Sequence, residues 1–316
     1  MVIDQIKDRR LEGGTTLRQV QLTTLYLLDV IDAICREHGI HYFLAFGTLL
    51  GAMRHKGFIP WDDDLDVGMP ESDYMRFLKI APKCLPRNLM LQTPKTVPGA
   101  FAAFAKLRDL SSLVIEGPTS LARPCGIYVD IFPYEKSANV HGRLAHLLIR
   151  GMSVCWRRGR LHLVADHRMA LGLVWSSVCS FGWTMLRCVL RLIWWMLRVF
   201  SKGECYREIP EAGGGLPEVA LLEDELFPLL EIEFEGRKYP SPNKPEKILE
   251  KYYGNWRMLP PESDRHGHHS SIFYPISPVG FWWTIPHASL SENDGAAIMR
   301  HAAPWYLVKL GRPSGF

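Results

Sequence analysis

Ile59-Pro60-Trp61-Asp62-Asp63-Asp64-Leu65-Asp66-Val67 is the stretch on which the fold turns. Read as a strand, it sends Asp62, Asp64 and Asp66 to one face and Leu65 and Val67 to the other. Carboxylates sharing a face at about 7 Å repel by about 2 kcal/mol per pair at an effective dielectric of about 20. Hard divalent cations bound through oxygen offset that repulsion, and a pair of them can clamp the attacking and leaving oxygens of a phosphoryl transfer. A solvated acidic turn is the plain alternative for a run of aspartates. Its surroundings argue for more: apolar flanks, a Gly47-Thr48 pair upstream, and a lone acid within Ile127-Tyr128-Val129-Asp130-Ile131-Phe132. Asp130 in so apolar a strand is costly if buried and unpaired, and completing a metal site would account for it.

Upstream, Leu17, Val20, Leu27 or Leu28, Ile31 and Ile34 recur at helical spacing, and Gly39 supplies a left-handed stop, so Thr15 to His38 reads as one amphipathic helix. His41 to Phe46 reads as a buried strand, Gly47 and Thr48 as a tight turn, and Leu49 to Arg54 as the start of a helix. That order of strand, glycine turn and helix can cradle a phosphate, although a glycine turn does the same structural work without a ligand. Downstream, the patterns predict strands over Asp64 to Met69, Asn88 to Thr93, Phe101 to Leu107 and Gly126 to Phe132, with a helix over Glu71 to Cys84. Phe227 to Tyr239 reads as a hairpin or strand and Pro245 to Tyr253 as a helix. The fold class is α/β (α+β), with a mixed sheet and flanking helices.

The chain has 316 residues, 47% hydrophobic and 22% charged, enough to bury a substantial core. Its net charge of +4 mildly favours anionic partners. Seven scattered cysteines without a C-x-x-C pair predict reduced thiols, and a charged opening segment leaves no room for the apolar core of a signal peptide, so a cytoplasmic location is expected.

Between Ser137 and Gly203 the composition changes: ten basic residues face one acid, Asp166, and five tryptophans fall there. Met169 to Leu186 is uncharged but short for a membrane span and diluted by glycine and serine. Arg187 to Phe200 places Arg187, Arg191 and Arg198 on one helical face amid Leu192, Trp195, Met196 and Val199. A helical subdomain packed on the core competes with an interfacial helix docked on anionic lipid, and the charge asymmetry favours the latter. The expected organisation is a core over 1–136, this insert over 137–203, and a continuation of the core over 204–316. Nucleic acid is not an expected partner, because the basic residues interleave with tryptophan and leucine at helical spacing.

The run from Phe46-Gly47-Thr48-Leu49-Leu50-Gly51 through Ala52-Met53-Arg54-His55-Lys56-Gly57-Phe58 to Asp66 resembles the signature of the LicD/fukutin-related family, a branch of the nucleotidyltransferase fold. Lys106-Leu107-Arg108-Asp109, Tyr128 to Pro133, Phe234-Glu235-Gly236, Tyr253-Gly254 through Pro261, and Arg265 with His268-His269 are similar as well. Residues 137–203 depart from the pattern. The resemblance implies a nucleotidyltransferase-like core that takes a CDP-linked donor such as CDP-choline, attaches its phosphoalcohol to a glycan hydroxyl and releases CMP. It maps the family's glycine turn to Gly47-Thr48 and its three acids to Asp64, Asp66 and Asp130, expected to be catalytic and to hold two magnesium or manganese ions. Gly47, Thr48, Arg54, His55, Lys56, Asp62, Asp63, Lys106, Arg265, His268 and His269 are the implied substrate-binding residues. Solvated surface cations are an equal reading for His55 and Lys56, and Asp62 and Asp63 stay open between metal binding, acceptor positioning and shaping the turn. A lipid-linked glycan acceptor would explain docking of 137–203 on the inner face of the plasma membrane. The competing functions are nucleotidyl transfer, in which the NMP half moves, and a non-catalytic membrane-associated protein that retains a nucleotide-binding fold.

Overall fold

A computed structural model describes residues 2–93, 96, 104–115, 126–138, 148, 150–152, 154–155, 170–200, 204–208, 219–265 and 272–274. Its centre is helix α1 (Thr16–His38), which begins where the Thr15 hydroxyl accepts from the Arg18 amide at 3.2 Å and ends at Gly39 in the left-handed region, φ 58°. From Val20 to Ile31 the helix is buried on every side, more than an amphipathic stripe predicts. Its buried polar groups are satisfied: Thr23 and Thr24 donate to carbonyls one turn back, and Asp29 accepts from the Tyr239 hydroxyl at 2.6 Å and from Arg237 at 2.8 Å.

The short strand β1 (Phe43–Leu44) leads into α2 (Phe46–His55), followed by β2 (Asp66–Pro70), α3 (Glu71–Cys84), β3 (Leu89–Gln92), β4 (Ala105–Asp109), β5 (Leu113–Ile115) and β6 (Tyr128–Ala138). After helix α4 (Ala170–Phe200) come β7 (Glu204–Glu208), β8 (Leu221–Leu222), the single turn α5 (Glu223–Leu226), the hairpin β9 (Leu230–Phe234) and β10 (Arg237–Ser241), α6 (Pro245–Tyr253) and β11 (Ile272–Tyr274). The main sheet is mixed, in the order β1-β2-β6-β4-β3: β2 and β6 run parallel, and the other pairs are antiparallel. The long β6 pairs with β2 and, along its length, first with β4 and then with β7, which extends the sheet to β8. Leu27, Ile31, Val67, Leu107, Val129 and Phe234 belong to one continuous core between α1 and the sheet. Gly68 lets that core close over β2, since a Cβ there would stand 2.4 Å from the Phe43 ring.

Three expectations need correction. The span from Asp62 to Leu65 is irregular and strand pairing begins only at Asp66, because the α2–β2 connection must turn before joining the sheet. Gly47 and Thr48 lie inside the first turn of α2 rather than in a turn preceding it, with Ala45 as the N-cap, so the strand before them is reduced to Phe43–Leu44. Finally, Met169 to Leu186 and Arg187 to Phe200 are not separate segments: α4 is one helix of 31 residues, about 46 Å long at 1.5 Å per residue. It lies in the stretch joining β6 to β7, two strands that pair with each other. The start of the expected strand at Phe101 lies outside the described residues.

Candidate active site at the edge of the mixed sheet

The aspartates converge because of strand register. Asp66 on β2 and Asp130 on β6 are Cα partners, and Lys106 on β4 is the partner of Asp130 on the other side. Paired residues in adjacent strands project to the same face, so the three side chains form one row across the sheet. The Lys106 ammonium meets the Asp130 carboxylate at 2.5 Å, with only 12% and 15% of the two side chains exposed. Lys106 also lies 3.6 Å from the Tyr128 ring centroid, which fixes it over the row. Asp130 therefore has a cationic partner within the fold.

Local contacts bring the remaining aspartates to the row. The Thr48 hydroxyl accepts from the Asp66 amide at 2.8 Å, and the Ala45 amide donates to the Asp66 carbonyl at 3.1 Å, so the start of α2 is pinned to the start of β2. The Asp130 amide donates to the Leu65 carbonyl at 3.0 Å. From the buried face of α1, Gln21 donates its Nε2 to the Asp62 carbonyl at 2.9 Å and holds the irregular loop in place. Gly47 is needed for close approach: a Cβ there would lie 3.1 Å from Asp62 Oδ2. Asp62 and Asp63 are both buried.

Crowding and burial act on these acids in one direction. Burial first, then the Asp64 charge and a hydrogen bond to Asp64, push the Asp62 carboxyl up to about 8. Asp66 is raised well above the usual carboxylate range by burial and then by the charges of Asp64, Asp130 and Asp62, against the pull of Lys106. Asp130 is raised by burial and held back by Lys106. An all-oxygen donor set under this pressure fits a hard divalent cation, which would relieve the repulsion that one lysine leaves. Among the described residues, no three acidic, histidine or cysteine side chains are already gathered as a metal cluster. The donor chemistry fits an ion.

The other sequence candidates divide. Arg54 donates Nη1 to the carbonyls of Trp256 at 3.1 Å and Met258 at 3.3 Å, and Nε to His55 at 2.9 Å, which builds a wall beside the aspartates. Burial and the Arg54 charge lower the His55 pKa, and its ring meets Trp61 edge-on. Lys56 caps α2 in the left-handed region; its side chain, 74% exposed, reaches 3.7 Å to Glu233 as a surface cation. Arg265 donates to the Pro260 carbonyl at 2.9 Å and lies 5.5 Å from the Trp61 centroid. His268 and His269 lie outside the described residues.

A cavity of about 390 Å³ opens against Asp62 and is lined by Arg54, Trp61, Tyr253, Trp256, Met258 and Asp264, among others. Burial, followed by the charges of Asp66, Tyr252, Asp62 and Asp64 among its neighbours, raises the Tyr253 phenol. The cavity therefore adjoins the acidic row. Trp61, Tyr253 and Trp256 were not singled out as binding residues from the sequence, nor was Gln21. A tryptophan directly before the aspartates was a usable sign, whereas nothing local marks Gln21. Glu235 was also missed as a clamp: it accepts from Arg18 at 2.6 Å and from the Phe58 amide at 3.2 Å, tying the β9–β10 turn to the loop after α2.

Residues 39–154 match the family model described as LicD/FKTN/FKRP, nucleotidyltransferase domain. The lipopolysaccharide cholinephosphotransferase LicD of Haemophilus influenzae is 29% identical over 267 residues, covering 82% of this chain and 98% of that protein. The human ribitol 5-phosphate transferase FKRP is 43% identical over 53 residues, 17% of this chain and 10% of that protein.

Proposed function

The chain belongs to the LicD family, and from that premise we propose that it is a phosphotransferase moving a phosphoalcohol, of the phosphocholine kind, from a CDP-linked donor to a hydroxyl of a surface glycan or its lipid-linked precursor. The observation that carries this reading is the row of Lys106, Asp130 and Asp66 beside Asp64, Asp62 and the cavity. In the reaction the acceptor oxygen forms a bond to the phosphorus bearing the alcohol, the bridging P–O bond breaks, CMP leaves, and the acceptor proton is lost.

Asp64, Asp66 and Asp130 would hold magnesium or manganese, as two ions, which supply charge neutralisation for the diphosphate. Lys106 favours the charged form of Asp130 against its burial and orients it. The amides of Gly47 and Thr48 lie ahead of the first intrahelical bond of α2, from Leu49 to Ala45, where the helix N-terminus favours a phosphate oxygen. Arg54 frames the site, since its donors are committed to backbone carbonyls and His55.

Docking on the inner face of the plasma membrane belongs to the same proposal. Phe181, Met185, Val189, Leu192 and Met196 form an exposed stripe along α4, while Trp194, nearly opposite, is buried and donates to Glu135 at 3.1 Å. Arg187 and Arg191 lie off that stripe, so apolar side chains rather than arginines form the outward face. The excess of basic residues in 137–203 supplies attraction to anionic headgroups. No helix among the described residues is long and apolar enough to cross a membrane.

The test incubates the purified chain with CDP-choline and other CDP-alcohols, with and without magnesium and a glycolipid extract. Release of CMP that needs both the ion and the acceptor is the expected result. Pyrophosphate released from a nucleoside triphosphate, with NMP on the acceptor, would replace this reading with nucleotidyl transfer.

A further inference from the structure

Three non-glycine residues with positive φ lie around α2 and the loop that follows it, and among the described residues there are no others. Phe46 (φ 44°) opens α2, Lys56 (φ 55°) caps its end, and Glu235 (φ 51°) stands in the two-residue turn of the β9–β10 hairpin. L side chains adopt this region at a cost, and such positions gather where function over-determines the backbone. A hairpin turn with positive φ at both central residues favours asparagine or aspartate before its glycine. The turn itself therefore gives no reason for a glutamate ahead of Gly236 (φ 76°).

The contacts of Glu235 give that reason. Its amide donates to the Lys56 carbonyl at 2.9 Å, and its carboxylate accepts from the Phe58 amide at 3.2 Å and from Arg18 Nη1 and Nη2 at 3.3 Å and 2.6 Å. Gly57 makes room for it, since a Cβ there would stand 2.5 Å from Glu235 Oε1. The same Arg18 guanidinium donates to Gln21 Oε1 at 3.2 Å, and the buried Gln21 donates Nε2 to the Asp62 carbonyl at 2.9 Å. One chain of hydrogen bonds thus runs from the hairpin turn through α1 to the backbone of the aspartate loop. The loop also presses on α2: a Cβ on Gly51 would stand 2.5 Å from the Gly57 carbonyl oxygen, and one on Gly47 would stand 3.1 Å from Asp62 Oδ2.

Resting on the metal reading of the aspartates above, we propose that Glu235, Arg18 and Gln21 are positioning residues that set the affinity of the site for its divalent ion. They act through the backbone that carries Asp62, Asp63 and Asp64. Crowded carboxylates repel, and a loop free to relax would let them spread. A loop held at Phe58 and at Asp62, in part by charge-assisted hydrogen bonds, keeps them together before the ion arrives.

Manganese binding to the full chain is measured by electron paramagnetic resonance, which counts the free ion and needs no substrate. Arg18→Met, Gln21→Leu and Glu235→Gln each remove one link of the chain, and melting curves check that each variant folds. Arg18, whose side chain is 38% exposed, and Glu235→Gln, which keeps size and an acceptor for the Phe58 amide, preserve the test where Gln21→Leu in the core does not fold. Each folded variant is expected to bind manganese about 10-fold more weakly, as for the loss of a residue that orients a metal ligand. Arg18→Met combined with Glu235→Gln is expected to lose about 10-fold as well, rather than about 100-fold, because both cut one path. Affinities within about twofold of the parent in the folded variants would overturn the proposal, as would losses that multiply in the double variant. A parent chain that binds no manganese removes the metal assignment and this proposal with it. Tight binding by the parent and the variants alike removes the positioning role and leaves the metal assignment standing.

Discussion

Asp66 is the residue on which most of the site's forces meet. Its amide is held by Thr48 at 2.8 Å, its Cα partner is Asp130, and its carboxylate is raised by burial and three neighbouring charges. Asn at this position keeps the shape, removes one crowded charge and, on the proposed function, removes an oxygen that would hold the metal. Asp66→Asn is therefore expected to lower turnover by about 1000-fold, the effect of losing several kcal/mol of transition-state stabilisation. Its melting temperature should not fall, because burial and the charges of Asp64, Asp130 and Asp62 on Asp66 outweigh the pull of Lys106. Activity within tenfold of the parent, measured as CMP release, would remove Asp66 from the catalytic set.

At the scale of elements, β6 and α4 do different work. β6 collects the site, since one strand takes β2 and β4 as neighbours and so fixes Asp130 beside both Asp66 and Lys106. The helix α4 packs inward through Leu190 and Trp194 against Leu148 and Met152, and turns its long apolar stripe outward. The double variant Phe181→Ser and Leu192→Ser removes two large exposed side chains worth about 1.5–3 kcal/mol each on burial. Cosedimentation with vesicles containing anionic lipid should weaken by about 100-fold or more. Unchanged lipid binding would refute docking through this face, and a shift in sedimentation from dimer to monomer would assign the stripe to a second copy of the chain.

Across the whole molecule, the N-terminal segment is fastened to the far end of the sheet. Arg10 Nη1 meets Asp109 Oδ2 at 2.6 Å, with 7% and 0% of the side chains exposed, and Asp109 also accepts from the Ser111 amide and hydroxyl. Removing Asp109 leaves the buried Arg10 guanidinium with Asp8 alone, at 2.7 Å. Asp109→Ala should therefore cost about 1.5–3 kcal/mol in urea unfolding, the value of a hydrogen bond to a charged group. A loss below about 1 kcal/mol would show that Asp8 by itself compensates Arg10.

Local chemistry made much of this legible. The ends of α3 and α6 coincide with the helices read from Glu71 to Cys84 and from Pro245 to Tyr253, because a proline-marked boundary and an apolar repeat act within a few residues. The acidic run and the lone Asp130 were readable as a group, since acids in apolar surroundings are conspicuous wherever they occur. The sequence by itself thus determined the element types, the α/β class and the set of aspartates. Tertiary structure decided their partners. Lys106 reaches Asp130 only through strand register, Gln21 reaches the Asp62 loop from α1, and Trp256 and Tyr253 close the cavity from nearly two hundred residues along the chain. It also decided that Lys56 points away to Glu233 and that Gly47 and Thr48 open a helix. Propensity and periodicity are local properties, whereas register, burial and the electrostatic crowding they create exist only once distant segments pack together.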